Sequence, residues 1–146
     1  MSKHLVWETI NGKNYWYEND AIQGTEDDPL CVLDGNGEPR GREIYDPGSD
    51  AWYWLDAAEG GARAENKEVW IPYVYQGVPD PDGKWVRYDA DGHMVKGLYI
   101  TDGKVYVYHQ ITGAMAKGTA SIRFSFDAGG VCNAHARTHT HTHTGF

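Results

Sequence analysis

The chain has 146 residues, about one domain's worth, and its 13 basic against 21 acidic residues leave a formal charge of −8. That balance argues against nucleic acid, which needs a basic footprint, and against an anionic membrane surface, and no apolar run is long enough for membrane insertion. Leu, Ile, Val and Phe are too sparse for an ordinary core, but 6 Trp, 10 Tyr and 3 Phe supply apolar area in their place, and 18 Gly supply turns.

In chain order, Met1 to Trp7 lacks the long apolar region of a signal peptide. The chain is therefore either cytosolic or carries its export signal elsewhere; a secreted, cell-wall-associated location is the expectation adopted here. Asn11-Gly12-Lys13 reads as a turn into Asn14-Tyr15-Trp16-Tyr17, a worn copy of a unit that returns later. Thr25 to Pro47 is acidic and turn-rich, with short strands expected around Leu30–Leu33 and Arg42–Tyr45. Ala51 to Asp56 is an aromatic strand in which Trp52 and Trp54 share one face and form the expected ligand platform. Asp56 to Val69 is the one stretch of helical composition, weakened by Gly60-Gly61. Glu68 to Tyr75, with Trp70, is a further strand in which Pro72 marks an edge or a bend, and Gly77 to Gly83 reads as a hinge.

Two clear repeats follow. Asp82-Gly83-Lys84-Trp85-Val86-Arg87-Tyr88-Asp89 runs on to Met94-Val95-Lys96-Gly97, and Asp102-Gly103-Lys104-Val105-Tyr106-Val107-Tyr108 runs on to Met115-Ala116-Lys117-Gly118. The opening glycines lie 20 residues apart and the closing Met, Lys and Gly 21 apart. A period near twenty marks a supersecondary unit that buries its apolar face on its neighbours. A further copy begins at Ser121 and breaks off after Val131, and from Thr138 to Thr144 Thr and His alternate. The expected fold is mostly β: short β-hairpin repeats stacked as a solenoid-like module, with an irregular N-terminal β segment. Three regions are expected, 1–76, 77–131 and a low-complexity tail 132–146.

On these residues the chain resembles the cell-wall-binding repeats of Firmicute surface proteins, which include choline-binding and glucan-binding modules. Gly83 to Tyr99 and Gly103 to Gly118 match well, and Gly12 to Gly24, Ala51 to Asp56 and Ile122 to Val131 match in part. The resemblance implies a hairpin solenoid that binds ligands between consecutive hairpins. The sequence holds no nucleophile elbow, phosphate loop or zincin motif, so no catalytic residue and no cofactor is assigned, and the chain reads as the binding part of a larger secreted enzyme or surface protein. The implied partners are cell-wall polysaccharide, peptidoglycan or glucan, with self-association a further option. Ligand-binding candidates are Trp52, Trp54, Trp70, Trp85, Tyr88, Tyr99, Tyr106 and Tyr108. The ring that follows the closing Gly in the family is replaced by Leu98 and Thr119, which moves the expected ligand from choline toward glycan.

Other motifs carry plainer readings. Asp89-Ala90-Asp91-Gly92 lacks the fifth-position ligand of a calcium loop, where His93 stands, and reads as a turn. Lys96 and Lys117 read as solvated charges, and Cys31 and Cys132 as free thiols. The His/Thr tail could line a strand face with imidazoles, but it also has the form of a translated dinucleotide repeat, and no metal site is assigned. Two alternatives to glycan binding remain: a structural or adhesive module, and a small hydrolase drawing on carboxylates such as Glu43, Asp46 and Asp56.

Overall fold

The structure is a computed structural model that describes residues 2–75, 78–117, 120–130 and 132–138. Among these residues it consists of short strands and turns with one 3-10 turn, Ala57–Glu59. The chain divides into two compact units, Met1–Lys67 with Tyr88–His93, and Glu68–Arg87 with the residues from Met94 onward.

In the first unit β1 (Val6–Ile10), β2 (Lys13–Glu18) and β3 (Ala21–Ile22) form an antiparallel sheet. Asn11 and Gly12 both take positive φ, 51° and 78°. This is the mirror-image turn whose twist suits flanking strands, so Ile10 pairs directly with Lys13 and Val6 with Tyr17. Asn19 and Asp20 repeat the device between β2 and β3. β4 (Val32–Leu33), β5 (Pro39–Asp46), β6 (Ala51–Asp56) and β7 (Ala62–Arg63) form a second sheet in that order. The strands expected near Leu30–Leu33, Arg42–Tyr45 and Ala51–Asp56 are all present. The expected helix shrinks to its first turn: Asp56 Oδ1 accepts from the Ala58 amide, and Gly60 at φ 66° ends it at once.

Trp16, Ile44, Tyr53 and Leu55 form the buried core of this unit, with Trp7 and Ala51 packed against it. Trp7 meets Trp16 and Tyr53 edge-on, with ring centroids 5.0 and 5.1 Å apart. Such contacts add to the area term that drives burial. Two buried carboxylates brace the loops around this core. Asp28 accepts from the amides of Gly24 (2.8 Å) and Leu30 (2.9 Å) and from Arg42 (3.2 Å). Asp46 accepts from Trp7 Nε1 (2.9 Å), the Gly48 amide (2.8 Å) and Ser49 Oγ (2.9 Å). Burial would raise both pKa values, but these donors outweigh it and hold both carboxyls below their ordinary 3.8.

In the second unit β8 (Lys67–Tyr75) pairs with β9 (Val78–Tyr88), β10 (Gly97–Thr101) with β11 (Lys104–Tyr108), and β12 (Ala120–Phe126) with β13 (Cys132–Thr138). The segment that reads as a hinge is strand from Val78 on. Proline's fixed φ is compatible with an extended chain, and Trp70 ties the segment to β8. Its ring lies where a Cβ on Gly83 would sit, Gly83 takes φ 61°, and Trp70 Nε1 donates to the Asp82 carbonyl at 2.9 Å. The chain also continues in register past Val131: β13 pairs with β12 from Phe126↔Cys132 to Ala120↔Thr138. The connecting turn is held by the amides of Gly129 and Gly130, which donate to Asp127 Oδ1 and its carbonyl at 2.8 and 3.0 Å. The remainder of the His/Thr tail, from His139, lies outside the described residues.

The turns of both units share one construction. A strand-end side chain accepts from amides two to four residues on: Asp34 from Asn36 and Glu38 (2.8 and 3.0 Å), Asp89 from Asp91 and His93 (both 2.9 Å). Twenty residues after Asp89 the acceptor is an imidazole: His109 Nδ1 receives the amides of Ile111 and Thr112 at 3.1 and 3.2 Å.

Candidate functional site

The exposed aromatic surface of the first unit is built on β5 and β6. Tyr45 pairs with Trp52 across the strands, and their rings lie 5.3 Å apart at 55°. Trp52 is 57% exposed. Tyr45 donates its hydroxyl to Asp50 Oδ1, and this bond, with the carboxylate's charge, raises the phenol pKa. The result is two adjacent rings and a carboxylate near the hairpin end of the paired strands β5 and β6. Trp54, expected to share this platform, is only 2% exposed. The reason lies across the sheet: Gly41 has no Cβ, and the Trp54 ring fills the space a Cβ would take. Trp54 and Trp52 thus sit on one strand face, but only Trp52 offers that face to solvent.

Tyr88 is also buried in the first unit. Burial, then the nearby Glu43 carboxylate, drives its pKa up strongly, and among the described residues neither its hydroxyl nor Trp54 Nε1 has a hydrogen-bond partner.

In the second unit Tyr99 and Tyr106 pair across β10 and β11 with centroids 6.4 Å apart, and the Arg87 guanidinium lies 4.5 Å from the Tyr99 ring centre. Trp85 is 36% exposed. Tyr108 is buried, and its hydroxyl lies 3.4 Å from Glu68 Oε1; burial and then that carboxylate push its pKa up to about 12. Trp70 stacks on Gly83, as described above. Of the eight rings expected at the site, Tyr99 and Tyr106 come together, Trp52 and Trp85 are exposed, Trp70 covers backbone, and Trp54, Tyr88 and Tyr108 are core.

Tyr45, Arg87 and Arg63 are surface or site-forming residues that the sequence reading missed. Tyr45 carries a signal: it lies in an expected strand, and the register across the 47–50 turn sets it opposite Trp52. Asp89, Asp91 and His93 place their ligand atoms within 4.8 Å of one another, all exposed, yet Asp89 Oδ1 already receives two backbone amides. The cluster is a turn, as its spacing indicates.

Residues 76–119 match the family described as Choline-binding repeat. Glucosyltransferase-S of Streptococcus mutans serotype c is 29% identical over 115 residues, an alignment covering 74% of this chain and 7% of that protein's length. Two solved structures are also similar. The modular autolysin LytC from Streptococcus pneumoniae in complex with synthetic peptidoglycan ligand aligns at 20% identity over 92% of this chain and 28% of its own, with a TM-score of 0.38. Alternansucrase in complex with isomaltononaose aligns at 20% identity over 87% of this chain and 10% of its own, with a TM-score of 0.44. The chain thus spans a small part of each of these larger proteins.

Proposed function

We propose that this chain, which carries choline-binding-type repeats over residues 76–119, is a non-catalytic module that holds a cell-wall or other glycan polymer on exposed aromatic rings. The observation that carries the reading is the Tyr45–Trp52 pair, two exposed rings fixed across a strand pair beside Asp50. Flat ring faces suit the C–H faces of sugars, and the neighbouring carboxylate accepts from hydroxyls. Tyr99, Tyr106 and Trp85 extend the reading to the second unit. The similarity to a glucosyltransferase supports a glycan ligand. Leu98, where the family places a ring, faces Val107 across β10 and β11, which disfavours a closed choline cage at that repeat.

Two of the three carboxylates named as hydrolytic candidates have structural partners. Asp46 is buried and accepts from three donors, and Asp56 caps the 3-10 turn and pairs with Lys67. Among the described residues no helix is long and apolar enough to cross a membrane. A wall-associated extracellular location fits the reading, as does a stacked arrangement of the hairpins.

Sedimentation with purified Gram-positive cell walls and with insoluble glucan tests the proposal. The chain is expected to co-sediment with at least one polymer, and Trp52→Ala is expected to weaken this several-fold. Undiminished binding in both Trp52→Ala and Tyr99→Ala would remove the aromatic platform from the account. An adhesive role is favoured by a separate observation, the exposed cross-strand pair Ile100 and Val105. Concentration-dependent association without glycan binding would select it.

A further inference from the structure

A cavity of about 270 Å3 opens on the first unit where the β1–β2 turn, the 3-10 turn and β7 meet. Its charged lining is Lys13, Glu59, Arg63, Glu65 and Lys67: three cations and two carboxylates, in a chain whose formal charge is −8. Lys13 pairs with Glu59 at 2.7 Å, and Lys67 pairs with Asp56.

Arg63 is held differently from the two lysines. Its guanidinium lies over the rings of Trp7 and Tyr53, 4.9 and 5.1 Å from their centres, and Nε donates to Glu65 Oε2 at 2.8 Å. Glu65 is itself held by Asn14 Nδ2 at 2.8 Å. The Arg63 side chain is only 15% exposed. Its Nη1 and Nη2 donate to no group among the described residues. A guanidinium fixed on two rings, with its terminal donors unspent, is preorganised for a planar two-oxygen anion, because the side-chain entropy is already lost.

We propose that this cleft is a subsite for the carboxylate of an acidic sugar, with Arg63 making the two-pronged contact through its terminal N–H groups and the ion-paired Lys13 and Lys67 flanking it as further N–H donors. The volume is slightly below the roughly 300–1,000 Å3 usual for small-molecule sites, which suits a single sugar ring. Glu59 and Glu65 give the ring hydroxyls charged acceptors on the same wall. A cleft that alternates cations and carboxylates suits a ligand that both donates and accepts, and the unspent Arg63 donors select one that carries an anion. The proposal deepens the glycan reading and rests on it for the sugar.

Titration of the isotope-labelled full chain with sodium glucuronate and with glucose, followed by amide shifts, tests the cleft. Glucuronate is expected to shift amides in 12–13 and 59–67 saturably, and glucose to leave them in place. Arg63→Gln is expected to weaken glucuronate by about tenfold or more, as for a lost hydrogen bond to a charged partner. Because Arg63 also packs on Trp7 and Tyr53, the surface variant Lys13→Gln, which removes only an exposed ion pair, provides a second arm, with a several-fold loss at unchanged melting temperature. Equal response to glucose, or glucuronate binding unchanged in both variants, would overturn the subsite. Failure of glucuronate while wall binding persists and remains sensitive to Trp52→Ala rejects the cleft alone. Glucuronate binding without any wall or glucan binding supports the cleft and rejects the wall-polymer reading.

Discussion

In the first unit Trp7 meets Trp16 and Tyr53 edge-on around Ile44 and Leu55, two buried carboxylates brace the surrounding loops, and the Tyr45–Trp52 pair stays exposed. In the second unit the buried side chains include Val69, Ile71, Val86, Tyr108 and Ala114, while Trp85, Ile100, Val105 and Ile111 remain exposed. Both units thus combine a buried cluster with exposed apolar side chains: the first exposes a paired set of rings, Tyr45 and Trp52, and the second the aliphatic cross-strand pair Ile100 and Val105. Substitutions in the buried clusters should therefore be felt far more than substitutions in these exposed pairs. Leu55 is fully buried, so Leu55→Ala should cost about 3–4 kcal/mol by chemical denaturation, as for a large-to-small change in a packed site. Ile100 is 67% exposed, and Ile100→Ala should stay within about 0.5 kcal/mol. Equal losses would erase the contrast.

A smaller effect tests where the second unit is nonetheless tight. Gly113 has φ 72°, and a Cβ there would fall on the Met94 side chain. Gly113→Ala therefore combines an unfavourable backbone region with displacement of a flexible thioether, and should cost about 1–2 kcal/mol. A neutral result would mean that Met94 simply moves aside and that the closing Met of one repeat is not seated by the turn of the next.

Acid separates the units by the chemistry of their turn acceptors. His109 has its pKa held below the ordinary 6.5, first by burial and then by the Lys84 and Lys96 ammonium groups, while its Nδ1 must stay unprotonated to receive two amides. A histidine whose folded pKa is depressed stabilises the fold above its unfolded value, and that stability is lost as pH falls from 6.5 through the folded pKa. Asp28 and Asp46 are also depressed, but from 3.8, so their contribution is lost only as pH falls below that value. Amide exchange followed from pH 7 to pH 3 should show residues 109–114 loosening first and the loops at 24–30 and 46–49 later. His109→Asn keeps an acceptor without a proton to gain and should abolish the early phase. Simultaneous loosening in the wild type would show that the imidazole is not the sensitive group.

What could be read from sequence was local. The Asn11-Gly12 and Asp102-Gly103 turns carry their own φ preferences, and the Ala51–Asp56 strand announces itself by composition, so the fold class and several strand positions follow from neighbours in the chain. Which rings are free depends on residues far away in sequence. Trp52 and Trp54 are equivalent by alternation, and the open space over the glycine at position 41 receives one of them and not the other. Gly77 to Gly83 reads as a hinge in sequence, whereas the chain from Val78 is an extended strand and Trp70 secures it through Gly83. The cleft at Arg63 joins residues from three elements, none of which carries a motif.

The smallest stability change expected is also the one that speaks most directly to function. Trp52 spends its ring on Tyr45 and on solvent, so Trp52→Ala should alter folding free energy by less than about 0.5 kcal/mol. Trp54→Ala, which empties the space over Gly41, should cost about 3–5 kcal/mol. Wall or glucan binding should follow the opposite order once the proteins are compared well below their melting temperatures: weakened several-fold by Trp52→Ala, and by Trp54→Ala only in proportion to the unfolded fraction. A binding loss that tracks stability in both variants would mean that the exposed pair serves the fold and not a ligand.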